Sequence, residues 1–215
     1  MLTYNDVNND SYVRDIYNYI DEYSKGRYWT THGYSHIETV VELVDKMLIL
    51  LNVDERTREC GKIAAVLHDI GCYYGKEDHC ENSTKMAITY LGDKKLNEGE
   101  KELIINAIKN HSDGSCTNSI IDATLFFADK IDIKKSRVLP DGLKVEGVRQ
   151  WQYIDDIIID INEALKVNFI VDNKIDMKEL NEFYFMPKVF NAIKIMAKYL
   201  NKDSEIMINN KEWII

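Results

Sequence analysis

Residues 64–71 read Ala64-Ala65-Val66-Leu67-His68-Asp69-Ile70-Gly71, an apolar helical run closed by a histidine–aspartate doublet. The helix that ends there starts at a predicted Asp54 N-cap. It carries Cys60, Ile63, Val66, Leu67 and Ile70 along one stripe to Gly71, a natural stop. Adjacent helix residues point about 100° apart, so His68 and Asp69, in the last turn, approach one centre from different sides. Reading outward from the doublet, the candidate ligands run His36, His68-Asp69, His79, His111, Asp129. All five histidines, His32, His36, His68, His79 and His111, precede residue 112, and none lies between Pro140 and Ile215. Metal chemistry therefore belongs to the N-terminal two-thirds.

Several candidate ligands fall on the inward side of their own helical patterns. Ile37, Val40, Val41, Val44, Met47, Leu48 and Leu51 follow the i, i+3, i+4, i+7 rule, and His36 sits one turn before Val40. Asp78-His79-Cys80-Glu81 reads as a capping box that opens a short helix ending near Leu91. Asn97-Glu98-Gly99-Glu100 is a second box, opening a helix through Leu103, Ile104, Ala107 and Ile108 that puts His111 on the buried face. Ile121, Leu125 and Asp129 recur at four-residue steps. Asp129 thus continues an apolar stripe inward, where an unpaired carboxylate is costly.

After Pro140-Asp141-Gly142 the character changes. Trp151, Ile154, Ile158, Ile161 and Leu165 predict another long helix. Val167–Val171 and Lys174–Met177, separated by Asp172-Asn173, predict a short hairpin. A final helix follows Pro187 through Phe190, Ile193, Met196, Ala197 and Leu200. The expected fold class is all-α with one small hairpin: a helical domain over 1–140 and a helical extension over 141–215 packed on it.

Composition narrows the function classes. A chain of 215 residues with 45% hydrophobic residues fills a sizeable core, and two prolines and ten glycines argue against long disordered tracts. The start, MLTYNDVNNDSY, has neither a positive region nor an apolar one, and no run reaches the ~18 apolar residues of a membrane span. A cytoplasmic protein with no membrane partner is expected. Cys60, Cys72, Cys80 and Cys116 form no C-x-x-C pair and read as reduced thiols. The net charge of −9 disfavours nucleic acid as a partner. Against that background Lys130, Lys134, Lys135 and Arg137 form a basic cluster, of which Lys130 and Arg137 are candidate phosphate contacts and Lys134 and Lys135 read as solvent-facing. Arg27 is a weaker candidate, Tyr73 and Tyr74 have access to a substrate beside the doublet, and His32 fits either a surface position or one that touches substrate. Glu77, Asp78 and Glu81 read first as capping or surface charges.

A buried carboxylate needs a cation or several donors, and mixed imidazole and carboxylate ligands suit Fe, Mn, Zn, Co or Ni better than calcium. His36 in HGYSHIETV, His68-Asp69 in AAVLHDIG and Asp129 in LFFADKID resemble the H…HD…D signature of the HD-domain superfamily of metal-dependent phosphohydrolases, over roughly residues 28 to 138. The resemblance implies that His36, His68, Asp69 and Asp129 hold one metal. His79 in EDHCENSTKMA and His111 in AIKNHSDG are similar to the two extra histidines of binuclear members, which implies a second ion on Asp69, His79 and His111.

The activity so implied is hydrolysis of a phosphate ester or anhydride of a small, nucleotide-like substrate through metal-activated water. Asp69 would bridge the ions or position the water, and Lys130 or Arg137 would neutralise phosphate charge. Relatives with the same ligands that act as di-iron oxygenases, and relatives that serve as non-catalytic regulatory modules, are the alternatives. A homodimer is compatible with the extension.

Overall fold

The computed structural model describes residues 1–113 and 117–213, so Cys116 lies outside the described residues. The chain divides into two compact units that interleave along the sequence: Met1–Glu22 with His32–Asp129, and Tyr23–Thr31 with Lys130–Ile215. The sequence expectation is a single break after residue 140.

The first unit is helical. It runs α1 (Tyr4–Asn8), α2 (Ser11–Ser24, whose end passes into the second unit), α3 (Tyr34–Leu50), α4 (Glu55–Leu67), a 3-10 segment (Ile70–Tyr74), α5 (His79–Leu91), α6 (Glu98–Asn110) and α7 (Ile120–Ile131). The stripe predicted for α3 is inside, with Val40, Val44, Met47 and Leu48 fully buried, α3 packs on α4, and α4 packs on α6, whose Ile104 and Ile108 are also fully buried. Asp54 caps α4 by accepting from Thr57 N–H, and the Asn97–Glu100 capping box forms with both reciprocal bonds.

Two local expectations are corrected. Asp78 makes no side-chain cap; its backbone is left-handed at φ 53°, which turns the chain into α5 without a capping box. Gly71 does not stop α4, which ends at Leu67 with His68 as its C-cap. Gly71 instead lies where α5 comes closest: a Cβ there would sit 2.2 Å from Ser83 N and 2.4 Å from His79 O.

The second unit carries a four-stranded mixed sheet, so the all-α expectation holds only for the first. Its strands are β1 (Ile154–Ile161), β2 (Ala164–Val171), β3 (Asp203–Ile208) and β4 (Lys211–Glu212), in the order β1-β2-β3-β4. β1 pairs antiparallel with β2, β2 parallel with β3, and β3 antiparallel with β4. Helices α8 (Met177–Glu182) and α9 (Met186–Tyr199) connect the parallel pair, and α9 packs on β2 and β3.

The helix predicted from Trp151 to Leu165 is therefore a 3-10 segment (Val148–Tyr153) followed by β1. The four-residue spacing of its isoleucines fits a helix, but the β-branched run alternates as a strand, with Ile157 and Ile159 buried and Ile158 and Asp160 exposed. The predicted hairpin partner Lys174–Met177 is corrected as well. Asp176 accepts from the N–H groups of Lys178 and Glu179 and starts α8, so β2 finds its hairpin partner upstream in β1. Among the described residues no helix is long and apolar enough to cross a membrane.

Candidate metal centre

Helix ends deliver the ligands. α3 begins at Gly33, which offers no side-chain cap; Asp21 of α2 takes that role, its Oδ2 accepting from Tyr34 N–H at 3.2 Å. Any Cβ on residue 33 would strike that carboxylate, so glycine is required for the cap that sets His36 in the first turn of α3. At the other end of the cluster, the last carbonyls of α4 would be unsatisfied. Tyr17 Oη–H donates to Val66 O and His68 Nδ1–H donates to Ala65 O at 2.7 Å. α6 ends the same way, with His111 Nδ1–H on Ile108 O at 2.6 Å and Cys80 Sγ–H on Lys109 O at 3.0 Å. His79 Nδ1–H donates to Lys76 O at 2.9 Å.

Those three tethers have one consequence. A backbone carbonyl only accepts, so Nδ1 carries the hydrogen in each ring and the Nε2 lone pair turns inward. The three Nε2 atoms converge on Asp69, which is buried. Its Oδ2 lies 3.4 Å from His68 Nε2 and 3.6 Å from His36 Nε2, and its Oδ1 lies 3.6 Å from His111 Nε2 and 3.7 Å from His79 Nε2. Asp129 Oδ1 adds a second carboxylate 3.2 Å from His36 Nε2 and 3.9 Å from His68 Nε2.

The structure thus brings together all six residues His36, His68, Asp69, His79, His111 and Asp129. They fall into sets of three with His36–His68–Asp69 on one side and Asp69–His79–His111 on the other, while His68, His111 and Asp129 also converge, so the two sides share a wall.

The donor set fits divalent metal. His68 Nε2, His111 Nε2 and Asp69 Oδ2 are buried and make no hydrogen bond, an expensive arrangement for polar atoms unless something fills the space between them. Ligands about 2.1 Å from one ion stand roughly 3–4 Å from each other, which is the spacing found. Charge agrees. Burial alone would push the Asp69 carboxyl up, but His68, His32, His111 and His79 outweigh it and hold it well below the usual range. Burial takes His68 down to about 4 against the pull of Asp69. Burial also opposes a charge on His111, yet Asp69 and Cys80 carry it up to about 10. Around one carboxylate, then, one imidazole is held neutral and another attracts a proton at the place a cation would take.

The sequence undervalued His32. The five imidazoles form a closed ring of neighbours, His32–His36–His68–His111–His79–His32, with successive centroids 5.0 to 6.3 Å apart. His32 closes it on the side of His79, the most exposed of the ligands, whose side chain is 26% exposed. Its signal was the spacing of four from His36. Tyr73 and Tyr74 are exposed, and Tyr73 packs on Tyr19 at 4.6 Å.

Lys130 and Arg137 lie in the second unit. Arg137 is buried and its Nη1 donates to Asp132 O at 2.9 Å, and Arg27 stacks over the Tyr23 ring at 4.4 Å. Exposed Lys135 pairs with Asp155, and Glu81 pairs with Lys85 on the surface of α5. Cys60, Cys72 and Cys80 are thiols that form no disulfide with one another.

Residues 33–134 match the family model described as the HD domain. Among solved structures, the chain is similar to a predicted HD superfamily hydrolase from an uncultured Thermotogales bacterium, at 24% identity and a TM-score of 0.45, over 56% of this chain and 68% of that one. A comparison with curated proteins returned no match.

Proposed function

We propose, on the premise that residues 33–134 of this chain are an HD domain, that it is a metal-dependent phosphohydrolase with a binuclear centre, acting on a phosphate ester or anhydride of a small, nucleotide-like molecule. One observation carries the reading: the two oxygens of buried Asp69 face two separate sets of imidazole Nε2 atoms. His36, His68, Asp129 and Asp69 Oδ2 would hold one ion, and Asp69 Oδ1, His79 and His111 the other. Ions bound there supply Lewis acidity, which activates water near neutral pH and withdraws charge from a phosphoryl oxygen.

The protein's own residues do the rest. The Nδ1 tethers of His68, His79 and His111 fix tautomer and ring orientation. Burial of His36, His68 and Asp69 keeps bulk water from that side, so substrate enters past His79 and His32.

Metal content after anaerobic purification without chelators is the test, paired with a hydrolysis screen over nucleotide polyphosphates and phosphate monoesters. About two equivalents of metal per chain are expected, falling when His79 or His111 becomes alanine, together with phosphate release from one substrate class. One equivalent insensitive to both changes overturns the binuclear centre. Oxygen uptake by the ferrous protein without phosphate release replaces hydrolysis with di-iron oxygenase chemistry on the same ligands.

A further inference from the structure

The second unit contains a hollow of about 430 Å³ whose walls are aromatic and whose charged groups are all acidic. Trp29, Phe183 and Tyr184 supply the rings; Glu146, Glu179 and Glu182 supply the carboxylates; and no lysine or arginine lines it. Trp29 is 46% exposed and Tyr184 66% exposed, so two large ring surfaces stand open to a ligand around one cavity.

The walls are held in place before anything binds. Trp29 O accepts from Leu139 N–H at 2.9 Å, Gly142 packs so close to that carbonyl that a Cβ would lie 2.2 Å away, and Thr30 bridges to Val138. The Phe183 ring meets Tyr184 edge-on at 4.7 Å and Trp151 at 6.0 Å. Gly147, at φ +81°, lies flat against Phe183, where any Cβ would come within 2.3 Å of the ring. Glu179 is gripped by Arg149 and by Gly147 N–H at 2.7 Å, and Arg149 more than that N–H takes its carboxyl down to about 2. Arg149 offsets the charge of Glu179 and Lys178 reaches Glu182 only at 3.9 Å on the exposed side of α8, so Glu146 and Glu182 supply the negative field of the hollow.

This combination selects one ligand chemistry. A cation over the face of a tryptophan or tyrosine is attracted by the ring quadrupole, and an ammonium clothed in methyl groups adds apolar contact and brings no N–H that needs a partner. Carboxylates draw such a cation in and repel phosphate. The held backbone at Trp29 and the edge contact of Tyr184 on Phe183 reduce the freedom lost on binding. We propose that this hollow is a binding site for a methylated ammonium group, seated on the faces of Trp29 and Tyr184 and attracted by Glu146 and Glu182. The site stands independently of the metal centre and of the hydrolase reading.

The experiment titrates the intact protein with choline and with 3,3-dimethylbutan-1-ol, the neutral molecule of the same shape, followed by calorimetry and by ligand-observed NMR. Saturable choline binding is expected, with the alcohol about tenfold weaker, since only the charge differs. Trp29→Ala and Tyr184→Ala should each weaken choline severalfold to tenfold, and Glu146→Gln with Glu182→Gln should narrow the gap between choline and the alcohol. Both aromatic positions are open to solvent, so the fold should survive, and circular dichroism checks it. Absence of saturation by choline overturns the proposal. So does equal binding of the two ligands, or undiminished affinity in folded Tyr184→Ala and Trp29→Ala proteins.

Discussion

At Asp69 a single carboxylate organises the surroundings of four histidines, and its protonation partners differ across it. His68, taken down to about 4 by burial, is neutral in the folded protein at pH 7, while His111 is carried up to about 10 against its burial by Asp69 and Cys80. The signs are opposite. Between an ordinary histidine value of 6.5 and about 4, the unfolded chain binds a proton that folded His68 refuses. That contribution to stability is therefore fully present above pH 6.5 and is lost as pH falls towards 4. The His111 contribution is present below 6.5 and lost as pH rises through about 10. In metal-free protein, His68→Asn should flatten the loss of stability between pH 6.5 and 4, read as urea midpoints; an acid limb as steep as the parent's would refute the assignment.

His32 gives a second prediction at the same scale. It completes the ring of imidazoles beside His79 without belonging to either set of converging ligands. His32→Ala should leave metal content unchanged and lower turnover about 10²-fold, the range for losing one positioned proton-transfer group. Loss of metal instead would make it a ligand. The residues that converge around Asp69 were singled out in sequence by helical stripes for His36, His111 and Asp129, by the His68-Asp69 doublet, and for His79 by the family resemblance. His32 carried only its spacing of four from His36, and because it precedes Gly33 and the start of α3, that spacing did not decide between a surface position and one beside the centre.

Among the elements, the contact between the 3-10 segment Ile70–Tyr74 and α5 decides whether His79 can reach Asp69. Gly71 N–H donates to Ser83 Oγ at 2.8 Å, and the missing side chain lets the α5 backbone settle directly on residue 71. Gly71→Ala forces a methyl group into Ser83 N and His79 O, both backbone atoms that yield only if α5 moves as a whole. The expected result is selective: affinity for the ion on Asp69, His79 and His111 falls about 10–100-fold, the scale of supporting-residue losses in metal sites. The ion on His36, His68 and Asp129 stays. Equal loss of both ions in a metal titration would show that α5 does not act alone.

Sequence reading took Gly71 for a helix stop because glycine most often serves there. The close backbone approach from twelve residues downstream leaves no local signature. The error at Trp151–Leu165 has a related cause. Ile154, Ile158, Ile161 and Leu165 satisfy a helical spacing, while Ile157 and Ile159 also fit a strand, and only pairing with β2 decides between them. The β2–β3 pairing, parallel and separated by α8 and α9, depends on residues more than thirty positions apart, so no local pattern announces it.

For the molecule as a whole, the candidate centre draws on α3, the end of α4, α5, the end of α6 and α7, from His36 to Asp129. Nearly every long helix of the first unit thus contributes to one point, and that point holds buried nitrogen and oxygen atoms lacking hydrogen bonds. Without a cation only the proton on His111 offsets the buried Asp69 carboxylate, and other buried nitrogen and oxygen atoms stay without hydrogen bonds, which opposes the folded state. A divalent ion that binds only the assembled site adds stability by mass action, about 2.7 kcal/mol at a free concentration one hundred times Kd. For a chain of this length that corresponds to roughly 5–10 °C in thermal midpoint. Removing metal with a chelator should lower the midpoint by that amount, and adding back the divalent ion recovered from the purified protein should restore it. Asp69→Asn keeps the shape of the side chain but removes the charge that both sets of ligands share, so its midpoint should no longer respond to metal or chelator. A midpoint that still rises with metal in Asp69→Asn would place the stabilising ion elsewhere and dissolve the link between this centre and the fold.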